Sequence, residues 1–148
     1  ENVVLAVGFA KAVEWYLANQ SSLRDRFSIF RDLILNEINK IKGIFLNTDL
    51  ENSMPHTINF GCNNVSAESL LISLDLDGIA VSTGSACSSG AMEASPVLLA
   101  MGLSNAEAKS SLRVSWGWST TEADIDIFCQ RLTFHIQRLQ RKQITKKI

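Results

Sequence analysis

The segment Leu112-Arg113-Val114-Ser115-Trp116 alternates apolar and polar residues without a break. Successive side chains of a β-strand point to opposite faces, so Leu112, Val114 and Trp116 share one face while Arg113 and Ser115 share the other. A strand of this kind belongs to a sheet with one buried and one polar face. Upstream, His56-Thr57-Ile58-Asn59-Phe60 alternates in the same way after Pro55. Ile44-Phe45-Leu46 reads as a short strand, and Ile79-Ala80-Val81 as a buried one.

Helical patterns surround these strands. Val3 to Ala18 is mostly Val, Leu, Phe, Trp and Ala. It predicts a helix buried on much of its surface, with Asn2 as N-cap. Gln20-Ser21-Ser22 then predicts a stop and a new cap. A second helix follows, with Leu23, Phe27, Phe30, Ile34, Ile38 and Ile41 at spacings of three and four, ended by Gly43. Ser66 caps a helix from Ala67 to Leu76, and Asp77-Gly78 is a turn. Ser95-Pro96 opens a short helix that Gly102 stops, and Ser104 caps another through Lys109. The last helix shows Ile125, Phe128, Leu132, Ile136 and Leu139 at helical spacing to about Arg141. Its cap is either Ser119-Thr120-Thr121-Glu122 or the pair Thr121 and Asp124. No repeat or linker divides residues 1–148, so the expectation is a single α+β domain, a small mixed or antiparallel sheet covered by helices on one face.

Composition narrows the function classes. The 148 residues carry fourteen Lys and Arg against fifteen Asp and Glu, a balance that offers no field for nucleic acid. The basic end of the chain reads as a solvated helix terminus. Three cysteines, Cys62, Cys87 and Cys129, make neither a disulfide framework nor, with no Cys-x-x-Cys pair and with His56 and His135 isolated, a zinc site. That usage points to a reducing compartment, the cytosol. No apolar run approaches transmembrane length and no signal peptide is visible. A start at Glu1 rather than Met predicts a piece of a longer or processed protein.

Two places could carry chemistry. Ser82 to Ala91 (Ser-Thr-Gly-Ser-Ala-Cys-Ser-Ser-Gly-Ala) holds no side chain larger than threonine or cysteine. It predicts a mobile loop that is poorly ordered or projects from the body, because little burial offsets the entropy of ordering it. Cys87 is its only reactive side chain, a thiol able to travel to a reagent held elsewhere. The commoner readings of such features are a small buried hydrophobe and a plain linker. Gly84 and Gly90 do not have phosphate-loop spacing, and no Gly-x-Ser-x-Gly surrounds the serines. A cysteine–histidine dyad stays open, since such partners meet only in space. The second place is Arg113, whose guanidinium fork suits a carboxylate bidentately. Its commoner reading is a sheet-surface arginine paired to a local acid. Cys62 and Cys129 read as packing residues.

Several segments together resemble a known family. They are Ser82-Thr83-Gly84-Ser85-Ala86-Cys87-Ser88, Leu98-Leu99-Ala100-Met101-Gly102-Leu103, Ser111 to Gly117, Thr120-Thr121-Glu122 and Asp124-Ile125-Asp126, with Pro55, Asn59 and Ala67-Glu68-Ser69-Leu70 upstream. They resemble the C-terminal small domain of NifS-like cysteine desulfurases, class V aminotransferase relatives that depend on pyridoxal phosphate. Ala94 and Trp118 depart from the family pattern. The resemblance implies that Cys87 attacks the sulfur of L-cysteine and keeps it as a persulfide while alanine leaves. It implies that Arg113 holds the substrate carboxylate, that the parent is a cytoplasmic homodimer, and that the sulfur passes to an acceptor such as an iron–sulfur scaffold protein. The family's cofactor-bearing lysine follows a histidine; here Thr57 follows His56 and Ile136 follows His135. The large domain with that lysine is therefore expected to be absent from this chain, and the chain alone to be inactive. The alternatives are a fold-related aminotransferase or selenocysteine lyase domain, or a non-catalytic sulfur carrier or interaction module.

Overall fold

The computed structural model describes residues 2–83 and 93–145. Four antiparallel strands form one sheet in the order β1-β2-β4-β3, with β1 Ile44–Leu46, β2 Thr57–Cys62, β3 Ser82–Thr83 and β4 Ser111–Ser115. Every pairing is antiparallel, which narrows the expected mixed or antiparallel sheet. In register, Ile58 opposes Val114, Asn59 opposes Arg113, and Phe60 opposes Leu112. The alternation read from the sequence holds: Leu112, Val114 and Trp116 are buried, and Arg113 and Ser115 are exposed.

Three helices cover the apolar face. They are α1 (Val3–Ile38), α2 (Ala67–Asp75) and α5 (Glu122–Thr145). Phe30, Ile34 and Ile38 from α1, Leu70 and Leu74 from α2, and Ile125, Phe128, Leu132 and Ile136 from α5 join Ile58, Phe60 and Leu112 in one core. Two short helices, α3 (Pro96–Ala100) and α4 (Asn105–Lys109), complete the described chain. Ser66, Ser95 and Ser104 cap their helices as expected. For α5 the cap is Thr121 with Asp124: each accepts the other's backbone N–H, at 3.2 and 2.8 Å.

Three expectations need correction. The predicted stop at Gln20-Ser21-Ser22 does not occur; α1 runs unbroken for 36 residues, about 54 Å at the helical rise. The polar side chains bond back along the helix instead of capping a new one. Ser22 Oγ donates to the Asn19 carbonyl at 3.0 Å, and the Asn19 amide to that of Trp15 at 2.7 Å. With no proline or glycine at the junction, serine's small propensity penalty does not break a helix. The first half of α1 is also not buried: Val4 is 80% exposed and Phe9 73%, and its buried residues begin at Leu23. Only the second half lies over the sheet. The third correction concerns Ile79-Ala80-Val81, which precedes the strand rather than forming it. Gly78, at φ +78°, and the Ile79 N–H bonded to the Leu74 carbonyl keep the chain in the turn after α2, so pairing starts at Ser82. Strand β2 extends past the alternating stretch, through Gly61 and Cys62.

Gly61 has a steric role in this sheet. It sits opposite Phe45 across β1–β2, and a Cβ there would overlap the Phe45 ring. The missing side chain leaves room for the far end of the Phe45 ring.

Candidate functional site

The polar face of the sheet is built by the same period-two rule that buries the other. Thr57 and Asn59 on β2 and Ser111, Arg113 and Ser115 on β4 stand together on it. The backbone N–H of Asn59 donates to Thr48 Oγ1 at 2.6 Å, and its carbonyl accepts from the Asn47 N–H at 2.9 Å. Both backbone groups of Asn59 are thus turned toward β1. Asn59 and Arg113 therefore form a non-hydrogen-bonded pair across β2–β4, the type whose side chains lie closest.

A side-chain network crosses this face. Asn47 Nδ2 donates to Asn59 Oδ1 at 2.7 Å and to Ser111 Oγ at 2.9 Å. Ser111 Oγ in turn donates to the Glu107 carbonyl at 2.8 Å, which ties α4 to the sheet. At the other end, Thr57 Oγ1 lies 2.9 Å from Ser115 Oγ and 3.1 Å from the Val114 carbonyl. Helix α3 stands over these groups as an apolar wall. Between them is an open cavity of about 550 Å³ whose lining includes Asn59, Arg113, Ser95, Leu98 and Met101.

Arg113 is the cation of this cavity. Among the described residues its side chain makes no ion pair and no hydrogen bond, so the reading of a sheet arginine paired to a local acid is not met. Asp49 also lines the cavity, but its carboxylate is committed to its own turn. It accepts from the side chain of Asn52 at 2.8 Å and from the backbone N–H groups of Glu51 and Asn52. Those bonds, the Asn52 side chain first, hold it below the ordinary carboxylate range. A permanently charged fork with open donors beside polar side chains can bind a small carboxylate.

The cysteines divide. Cys87 lies outside the described residues, as do residues 84–91 of the expected loop; of that stretch only Ser82 and Thr83 are described, and they form β3. Ser82 is the register partner of Arg113 on the side opposite Asn59. Cys62 and Cys129 are buried, as the sequence had them. Burial pushes the Cys62 thiol up, and burial with the Glu37 and Asp126 charges pushes Cys129 up to about 11. Both are thiols at neutral pH and poor nucleophiles. No hydrogen bond joins a described cysteine to a histidine: His56 packs against Phe27, and His135 Nε2 bonds Asp77 at 2.7 Å.

Residues 1–128 match the family model described as aminotransferase class-V. The chain belongs to this family. Cysteine desulfurase IscS 1 of Archaeoglobus fulgidus is 37% identical over 140 residues, which cover 95% of this chain and 37% of that protein. Cysteine desulfurase IscS of Pectobacterium atrosepticum is 39% identical over 134 residues, 90% of this chain and 33% of that one. In three dimensions a NifS-like protein from Rickettsia africae superposes with a TM-score of 0.81 at 27% identity, covering 93% of this chain and 35% of its own. This class-V chain thus spans about a third of the length of the curated relatives it matches. Pyridoxal phosphate, the cofactor expected from the resemblance, needs a lysine anchor. Among the described residues no lysine lines the Arg113 cavity; Lys11 pairs with Glu14 and Lys40 with Glu37 along α1. The described residues do not fit the covalent anchor.

Sequence reasoning had marked Arg113 in this cavity but had given no role to Asn47, Thr57 or Ser111, and had used Asn59 only as part of the family match. The period-two pattern of β2 was the signal for Thr57 and Asn59. Nothing local marked Asn47, which reaches the face from the turn after β1.

Proposed function

We propose that the chain is the C-terminal small domain of a cysteine desulfurase. The parent takes sulfur from L-cysteine and releases L-alanine. In this reading the Cys87 thiolate attacks the substrate sulfur and a sulfur–sulfur bond forms. The bond from sulfur to Cβ breaks, its electron pair goes to Cβ, and Cβ takes a proton to give alanine. Arg113 holds the substrate carboxylate. The reading rests above all on one observation: an arginine whose side chain has no partner among the described residues, in an open cavity between strands β2 and β4, the turn after β1 and the apolar wall of α3. It is supported by the two buried cysteines, whose raised thiol pKa leaves Cys87 as the candidate nucleophile, and by relatives named cysteine desulfurase.

In the same reading a lysine in the part of the parent that this chain does not span would hold pyridoxal phosphate, which would supply an electron sink there. The parent is a homodimer of the cytoplasm that hands sulfur to an acceptor such as an iron–sulfur scaffold protein. No helix among the described residues is long and apolar enough to cross a membrane. The chain by itself has no desulfurase activity.

The test uses the full-length protein. Wild type releases alanine from L-cysteine and, without added reductant, holds a persulfide on one cysteine. Cys87→Ser abolishes both while cofactor absorbance is kept, because a hydroxyl neither attacks nor stores sulfur. Normal sulfur transfer by Cys87→Ser, with loss in Cys62→Ser or Cys129→Ser, would refute the assignment.

A further inference from the structure

We infer that Asn59 supplies a second hydrogen-bond donor to the carboxylate held by Arg113, with Asn47 as the positioning residue that aims it; the inference rests on the desulfurase reading above. Ser111 has one hydroxyl hydrogen, and it is spent on the Glu107 carbonyl at 2.8 Å. The Asn47 atom 2.9 Å from Ser111 Oγ must then be a donor, its Nδ2. The same Nδ2 lies 2.7 Å from the Asn59 side chain, so the Asn59 atom facing it must be the acceptor Oδ1. The orientation of the Asn59 amide is therefore fixed by its neighbours rather than free to flip.

With Oδ1 turned to Asn47 on the β1 side, the two Nδ2 hydrogens are left over. They have no partner among the described residues, and Nδ2 is not among the buried unsatisfied atoms. Asn59 and Arg113 line the same cavity and form the close, non-hydrogen-bonded pair of β2–β4. A carboxylate has two oxygens and about four acceptor sites. The Arg113 fork fills two, and the Asn59 amide can fill a third from the neighbouring strand. The neutral donor adds direction without adding charge, so it favours a planar carboxylate over a bare amine.

The experiment measures binding as well as turnover in the full-length protein. Dissociation constants are taken by calorimetry for L-alanine, the product, and for ethylamine, which is alanine without its carboxylate. Asn59→Ala weakens L-alanine about tenfold, the loss of one hydrogen bond to a charged group, and leaves ethylamine unchanged. Asn59→Asp keeps the size and the bond from Asn47, which guards against a folding failure. It weakens L-alanine at least as much, because an anion replaces the donor. Asn47→Ala weakens it by a smaller factor, since the Asn59 amide is then free to turn. Unchanged L-alanine binding in both Asn59 variants would overturn the inference, and so would an equal loss for both ligands. Absence of alanine release from L-cysteine by wild type would instead sink the desulfurase reading, while the calorimetry would still decide whether Asn59 and Arg113 share a carboxylate.

Discussion

At the scale of single residues, Arg113 shows how far a local pattern reaches. Its outward direction follows from the strand period alone. Its lack of an acidic partner does not, because that depends on what β1, β2 and β3 bring beside it. The carboxylate in the cavity lining, Asp49, is held by Asn52 and Glu51 in its own turn. In the full-length protein Arg113→Ala should raise KM for L-cysteine by tens to hundreds of fold, since hydrogen bonds to charged groups are worth about 1.5–3 kcal/mol each. The fall in kcat should be smaller. Arg113→Lys should lie between, because an ammonium restores the charge but not the two-pronged geometry. Steady-state kinetics on the three proteins checks the order. A KM unchanged in Arg113→Ala would remove the residue from the substrate site.

Among the elements, the link between the turn after α2 and helix α5 is made by a charged cluster. His135 Nε2 bonds Asp77 at 2.7 Å, and Arg131 lies 3.8 Å from the same carboxylate. The hydrogen bond from His135 is the main cause that holds Asp77 below its ordinary value, with the charges of Arg131 and Arg138 adding to it. A carboxyl lowered in the folded state stabilises the fold above its unfolded pKa, about 3.9 for Asp. That contribution is lost as pH falls through the lower folded value. Stability measured by urea midpoint should therefore decline below about pH 4. Asp77→Asn should be less stable at neutral pH and should flatten that acid decline. A variant whose acid limb is as steep as that of wild type would show that Asp77 does not stabilise the fold. The sequence marked Asp77-Gly78 as a turn and His135 as helical, but nothing in either segment announced that the two meet.

For the whole molecule, α1 behaves as two halves. From Leu23 to Ile38 its buried side chains enter the core; Val3 to Ser22 has none buried. The first half touches the rest of the described chain at its end, where Trp15 meets Trp118 edge to face at 5.9 Å. Local opening costs little where few apolar contacts must be broken. In the isolated chain, amides of residues 6–20 should exchange with solvent faster than those of residues 26–38, although both belong to one helix. Equal protection along α1 would mean that the first half is held by contacts beyond those of the chain itself, such as a second copy. Leucine and valine read equally well as core or as a surface that awaits cover, which is why the expectation of a buried first helix failed.

What the sequence determined by itself was local. The period of two set the two faces of β2 and β4, the period near 3.6 set the stripes of the second half of α1 and of α5, and Ser66, Ser95 and Ser104 set where helices begin. Each of these depends on residues a few positions apart, within reach of one turn or one strand. The tertiary structure decided what depended on distant residues: the strand order β1-β2-β4-β3, the unbroken run of α1 through its serines, and the exposure of its first half. It also decided the Asn47–Asn59–Ser111 relay, whose members lie 12 and 64 positions from Asn47 along the chain. A side-chain amide carries no local signal of its orientation; that is set by the donors and acceptors its neighbours present.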